Sequence, residues 1–265
     1  VNKFYNAAVW SVEAVRSLEE KAENYAKLRS MTSVFPPLHA CSQFNNVKAI
    51  KALISSGADL EERSRERAKS SPDGLITALH VAASCSNCEA AKLLLEAGAD
   101  VNSRAQQPKH NGGVTSLFFA LGGEHNTAKL KLISLLLEAG ADVTLKVAVD
   151  FGDGRGLKFD TILGYYTTYI MARAEVVKMF LDAGADPNGQ DSIFGRTPLH
   201  NVGLMCGDEG VKIYVKIGKL LLEYGADPLL TEFEDGDTPL DYAKFSKDQD
   251  LIDLLTEATE KALKK

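Results

Sequence analysis

The sequence is poor in the residues that staple small secreted scaffolds. Cysteine supplies 4 of its 265 residues, too few for a disulfide framework, and unpaired thiols suit a reducing compartment. Cys85 and Cys88 form a C-x-x-C, but no second such pair exists, so no metal site is expected. No apolar run approaches the ~20 residues that a membrane-spanning helix needs, so no membrane insertion is expected. A basic excess is also missing. Lys and Arg number 30 against 36 Asp and Glu, a net charge of −6, which disfavours general nucleic-acid binding. No charged-then-apolar leader follows Val1, so a cytoplasmic or otherwise intracellular protein is expected. The start at Val rather than Met suggests a piece trimmed from something longer. No low-complexity linker divides the chain, so residues 1–265 are expected to form one domain. Catalytic signatures are lacking. Gly152-Asp153-Gly154-Arg155-Gly156 has no Lys-Ser/Thr ending, and no Ser-His-Asp or paired-carboxylate arrangement can be argued. No catalytic residue, cofactor or enzymatic activity is expected.

What the sequence does have is internal repetition. Gly-Ala-Asp occurs at 57–59, 98–100, 140–142, 184–186 and 225–227, at intervals of 41, 42, 44 and 41 residues. A motif at a near-fixed period marks a stacked-repeat protein. Leucine-rich helical runs precede it, as in Lys92–Ala97, Ser134–Ala139 and Lys219–Tyr224. The Gly supplies the left-handed conformation that ends a helix, and the Asp suits the turn that follows. A helix-start signal lies further upstream. In Thr197-Pro198-Leu199-His200, Thr is the N-cap, Pro the first helical residue, and His200 falls where a capping-box partner would sit. Variants are Pro36-Pro37-Leu38-His39, Thr77-Ala78-Leu79-His80, Thr115-Ser116-Leu117-Phe118 and Thr238-Pro239-Leu240-Asp241. The weakest is Thr161-Ile162-Leu163-Gly164, which lacks both Pro and His. The period also assigns the remaining thiols and imidazoles: His39, His80 and His200 read as helix caps, Cys85 as an interhelix turn residue and Cys88 as a helix start.

These two motifs, in this order, resemble the ankyrin repeat, whose period is about 33 residues. The resemblance covers roughly residues 31 to 265. It implies an all-α repeat solenoid of stacked helix-turn-helix units with β-hairpin finger loops. Residues 1–30 read as an N-terminal helical cap opening at Ser11, 31–237 as five central repeats, and 238–265 as a C-terminal capping repeat. Such stacks need polar ends.

Departures from the period point to function. From the Asp of Gly-Ala-Asp to the next His position, roughly 13 residues are standard. Here the gaps are 21, 18 and 22, then 14 and 14. The first three finger loops are therefore enlarged. Long loops on a rigid scaffold often carry function, although added loop length is also tolerated cheaply. The first finger leans basic with Arg63, Arg65 and Arg67, and the second carries Arg104 and Lys109. The third, from Leu145 to Phe159, alternates as a strand–turn–strand hairpin and includes Phe151. The last, Glu232–Asp237, is acidic around Phe233, and such a gradient would orient a partner. Tyr166 looks too large for its helix slot, so that helix is expected to tilt. Tyr165 and Tyr169 are candidate anchors in the groove, or else pack beneath the third finger.

The resemblance implies binding of another protein or peptide through the concave face and fingers. Candidate contacts are Arg63, Arg65, Arg67, Arg104, Lys109, Phe151, Tyr165, Tyr169 and Phe233, with a monomeric chain expected. The alternative is a targeting or substrate-recruitment module excised from a larger enzyme or secreted bacterial effector. Asn102 and Asn188, two residues past Gly-Ala-Asp, match the position that an oxygenase hydroxylates in this family. The competing role for each is to stabilise the turn.

Overall fold

The computed structural model describes residues 36–64, 75–105, 113–122, 126–150, 157–168, 172–205 and 211–264. The expected N-terminal cap, 1–30, lies outside the described residues. The chain divides into two compact units, residues 1–142 and 143–265.

Among the described residues of the first unit there are three helix pairs: α1 (Pro37–Gln43) with α2 (Val47–Ser55), α3 (Ala78–Ser84) with α4 (Cys88–Glu96), and α5 (Ser116–Phe119) with α6 (Thr127–Glu138). The first helices α1, α3 and α5 pack side by side, and α2, α4 and α6 form the second layer. Leu38, Leu53, Leu79, Leu94, Leu117, Leu132 and Leu136 fill the space between them and are fully buried. The second unit opens with β1 (Val147–Asp150) and β2 (Leu157–Asp160), antiparallel with Val147 opposite Asp160 and Asp150 opposite Leu157. Three pairs follow: α7 (Ile162–Thr167) with α8 (Ala174–Asp182), α9 (Pro198–Met205) with α10 (Val211–Glu223), and α11 (Pro239–Ser246) with α12 (Gln249–Leu263). Layering repeats, with α7, α9 and α11 in one row and α8, α10 and α12 in the other.

Each Gly-Ala-Asp ends a second helix by one mechanism. Gly57, Gly98, Gly140, Gly184 and Gly225 have φ between +80° and +96°. The next residue's N–H closes the helix, as Ala99 does on the Leu94 carbonyl at 3.0 Å. A Cβ on any of these five would meet nothing within 4 Å, so backbone conformation, not space, requires glycine here.

Tyr166 does not need a vacant slot. Its ring is buried in the core edge-on to Phe180, with centroids 5.7 Å apart, and its phenol oxygen accepts from Arg173 N–H at 3.2 Å. The irregular repeat compensates two residues earlier. A Cβ on Gly164 would lie 2.2 Å from Oδ1 of Asp160, so a carboxylate takes the space at the histidine position.

Candidate functional site

The finger loops grow from a repeated backbone closure. Ser64 N–H donates to Ile76 O at 3.0 Å, Ala105 to Val114 at 2.9 Å, Asp191 to Arg196 at 3.0 Å, and Glu232 to Asp237 at 3.0 Å. The loops differ in length only beyond this bond. The buried histidines lock the closures to the helices. His80 Nδ1 accepts from Thr77 N–H at 3.2 Å and lies 2.7 Å from the Thr77 hydroxyl, while Nε2 faces Val114 O at 3.3 Å. His200 repeats this with Thr197 and Asp237 O, and His39 Nε2 reaches Ile76 O at 2.8 Å. In His80 and His200 one ring nitrogen thus caps its own helix and the other holds the next repeat. That division requires the neutral imidazole. Burial enforces it, lowering His39 and His80 to about 4 and depressing His200.

Side chains two residues past Gly-Ala-Asp link neighbouring loops. Asn102 Oδ1 accepts from Asp142 N–H at 2.8 Å and its Nδ2 donates to Gly140 O at 3.1 Å. Asn188 does the same with Asp227 N–H at 2.7 Å and Gly225 O at 3.0 Å. Glu61 occupies the equivalent position and accepts from Asp100 N–H at 2.9 Å. Both asparagine amides named as hydroxylation candidates are therefore engaged across repeats.

The candidate contacts fall into distinct surroundings. Arg63 is half-buried and spans two loops: it donates to Leu75 O at 3.3 Å, Arg104 O at 2.7 Å and Ser103 Oγ at 3.3 Å. Arg104 is half-buried and its Nη1 reaches Gly113 O at 3.5 Å. Tyr165 is buried, with 9% of its surface exposed. Phe233 is 61% exposed. Arg65, Arg67, Lys109, Phe151 and Tyr169 lie outside the described residues.

Sequence reasoning missed the cluster that surrounds Phe233. Arg196 sits between two rings, 4.2 Å from the Phe194 centroid and 5.2 Å from that of Tyr242, and its Nε donates to the Tyr242 hydroxyl at 2.9 Å. Its two terminal nitrogens have no hydrogen-bond partner among the described residues. The Phe233 ring covers Gly195, where a Cβ would meet it at 2.4 Å. Two buried carboxylates shape the backbone around this stack. Asp191 accepts from the N–H groups of Ile193, Phe194 and Arg196. Glu232 accepts from those of Glu234, Asp235, Gly236 and Asp237, which holds its carboxyl below the usual range. The available signal was register: Arg196 directly precedes one cap threonine, and Tyr242 follows the next by four.

No metal-binding group of three or more His, Cys, Asp or Glu occurs among the described residues. No helix among them is long and apolar enough to cross a membrane. Within each unit the first helices form one row, and the finger bases close beside it.

Comparison with known proteins agrees with this architecture. A family model for ankyrin repeats in three copies matches residues 6–105, 38–147 and 169–265. A search of curated proteins gave no match. Among solved structures, an ankyrin repeat domain from Acinetobacter baumannii is 27% identical with a TM-score of 0.64, covering 84% of this chain and 97% of its own. The ankyrin repeat domain of Bcl-3, a member of the IkappaB family, is 23% identical over 91% of this chain and 95% of its own, with a TM-score of 0.65. A structure of a predatory endopeptidase from Bdellovibrio bacteriovorus in complex with an immunity protein matches at 23% identity and a TM-score of 0.60, over 83% and 96%. Repeated caps, left-handed glycines, paired layers and a matching family model lead to one assignment: the chain belongs to the ankyrin-repeat family.

Proposed function

We propose that this protein is a non-enzymatic scaffold that binds a partner protein or peptide along its first helices and finger loops. Ankyrin repeats generally mediate protein–protein interaction, and the findings above fit that role. The observation that carries the finer reading is the edge formed by Phe233 and Arg196. An exposed ring covers Gly195, and the guanidinium of the next residue, Arg196, lies over two other aromatic rings. A pre-positioned Arg loses little side-chain freedom on binding, and Arg and aromatic residues dominate interface energetics. Arg63 takes a supporting part in this scheme, tying the first finger to the second through carbonyls rather than meeting the partner alone.

Capture of partners from lysate by the immobilised protein tests this. Phe233→Ala with Arg196→Ala should leave the melting temperature within a few degrees and abolish capture of the partner retained by the wild type. Undiminished capture would sink the assignment of this edge.

A further inference from the structure

The negative charge of this chain is concentrated in two loops. The segments 184–205 and 225–246 each run from a Gly-Ala-Asp to the end of the next first helix. Together they hold eight Asp and Glu against two Lys and Arg. These two segments alone carry −6, the charge of the whole chain, and the remaining residues balance at 28 of each sign. The three earlier segments of the same kind, 57–84, 98–119 and 140–167, each lie between −1 and +1. Both acidic segments are described throughout and belong to the second unit, so all ten of their charged side chains have known surroundings.

Most of the ten have internal work. Asp191 and Glu232 are buried and bind backbone N–H groups, as described above. Asp186 and Asp227 each accept from the N–H two residues on, at 2.8 and 2.9 Å. Asp241 accepts from the Thr238 hydroxyl and pairs with Lys244 at 3.0 Å. Arg196 lies over Phe194 and Tyr242, and its terminal nitrogens suit main-chain carbonyls, which Arg63 takes at Leu75 and Arg104. Three carboxylates remain. Glu234 and Asp235 are exposed, Asp237 is half-buried, and none of the three has a side-chain partner among the described residues. Desolvation, and then the charges of Asp241, Asp235 and Glu232, push the Asp237 carboxyl above its usual range, so the tip is negative without a neutralising cation. Directly before these three stands Phe233, where the preceding loop has Ser192. Its N–H donates to Phe194 O at 2.7 Å and its ring covers Gly195, which fixes an exposed ring to the neighbouring loop. Nucleic acid and anionic lipid are repelled by such a rim, and a bare cation would leave the ring uncovered.

We infer that the partner of this edge is a basic polypeptide segment, one that lays an apolar side chain on Phe233 and sets Lys or Arg side chains against Glu234, Asp235 and Asp237. This rests on the reading of the Phe233 edge as the binding surface and adds the chemistry of what it binds.

The probe is a fluorescein-labelled peptide of about 12 residues with Lys and Arg flanking a central Leu and Phe. One counterpart replaces every Lys and Arg with Glu, and another replaces Leu and Phe with Ser. Fluorescence anisotropy against the full chain should show the basic apolar peptide binding roughly tenfold or more tighter than either counterpart, and more weakly at high salt. Glu234→Gln, Asp235→Asn and Asp237→Asn together should weaken it roughly tenfold at an unchanged melting temperature, since these carboxylates have no partner to lose. Glu175→Gln, Glu223→Gln and Glu257→Gln remove the same charge from exposed positions on second helices and should leave binding within about twofold. Phe233→Ala should reduce the probe to the level of its Ser counterpart. Equal binding of the acidic peptide, no binding of any peptide, full binding by the neutralised finger, or an equal loss in the second-helix variant would overturn the inference. Lysate capture separates it from the reading beneath it. A partner lost by Phe233→Ala with Arg196→Ala but kept by the neutralised finger leaves the edge standing and removes the basic partner; a partner kept by both removes both.

Discussion

Mild acid should destabilise this protein through its buried histidines. His39 and His80 both belong to the first unit, are fully buried, and titrate at about 4 rather than 6.5. Because the folded value is depressed, the unfolded chain binds protons more readily. Stability is therefore complete above the unfolded pKa and falls as the pH drops through 6.5 toward 4. At about pH 5 the unfolded state holds nearly one extra proton per histidine, so passing from about pH 7 to 5 removes about 2 kcal/mol for each and about 4 for the pair. That is a large part of a typical stability of about 5–15 kcal/mol. Geometry gives the reason. Protonation would place a hydrogen on the Nδ1 that accepts from Thr77 N–H, leaving a buried donor facing a buried donor. Urea unfolding followed by circular dichroism at pH 7, 6 and 5 measures the slope. The depressed carboxylates Asp182, Glu232 and Asp241 lose their contributions below this window, so they do not imitate the effect. A His80→Gln variant should lose about 2 kcal/mol of the difference between pH 7 and 5. Midpoints that stay flat between pH 7 and 5 would refute the claim that these imidazoles must be neutral to fold.

Two further outcomes follow from the repeat register. Gly184→Ala should cost about 1 kcal/mol in urea unfolding through its φ of +91° alone, since a Cβ there meets nothing; a cost near zero would show that the turn relaxes. Lys129→Met should raise the urea midpoint. Lys129 is 4% exposed at a helix position where α2, α4 and α8 have Ala49, Ala90 and Val176, and burial depresses its amine, so removing the charge while keeping the stem relieves a cost; a lower midpoint would refute this.

How much the sequence revealed depended on repetition. The cap threonines and Gly-Ala-Asp glycines were legible because one physical requirement recurs at each, and five instances outweigh any single ambiguity. Pairings between repeats were not. Arg196 and Tyr242 are 46 residues apart, and neither looks unusual alone. Arg63 drew notice as a cation on an enlarged loop, but its partners are mainly carbonyls, Leu75 O and Arg104 O among them, and every residue has one of those. Tyr166 looked oversized because the reading had no measure of the room that Phe180 and the Arg173 backbone provide. Lys129 escaped notice because Phe118 to Gly140 spans 22 residues where His80 to Gly98 spans 18, which obscures the register of its helix.

The backbone bonds at the finger bases insulate two rates of change from each other. Ser64 with Ile76, Ala105 with Val114, Asp191 with Arg196 and Glu232 with Asp237 are joined alike, although the stretches they enclose differ in length. A helix layer sealed in this way does not sense what hangs outside the seal. Such a protein can exchange one recognition loop for another, long or short, while the stack beneath it folds as before.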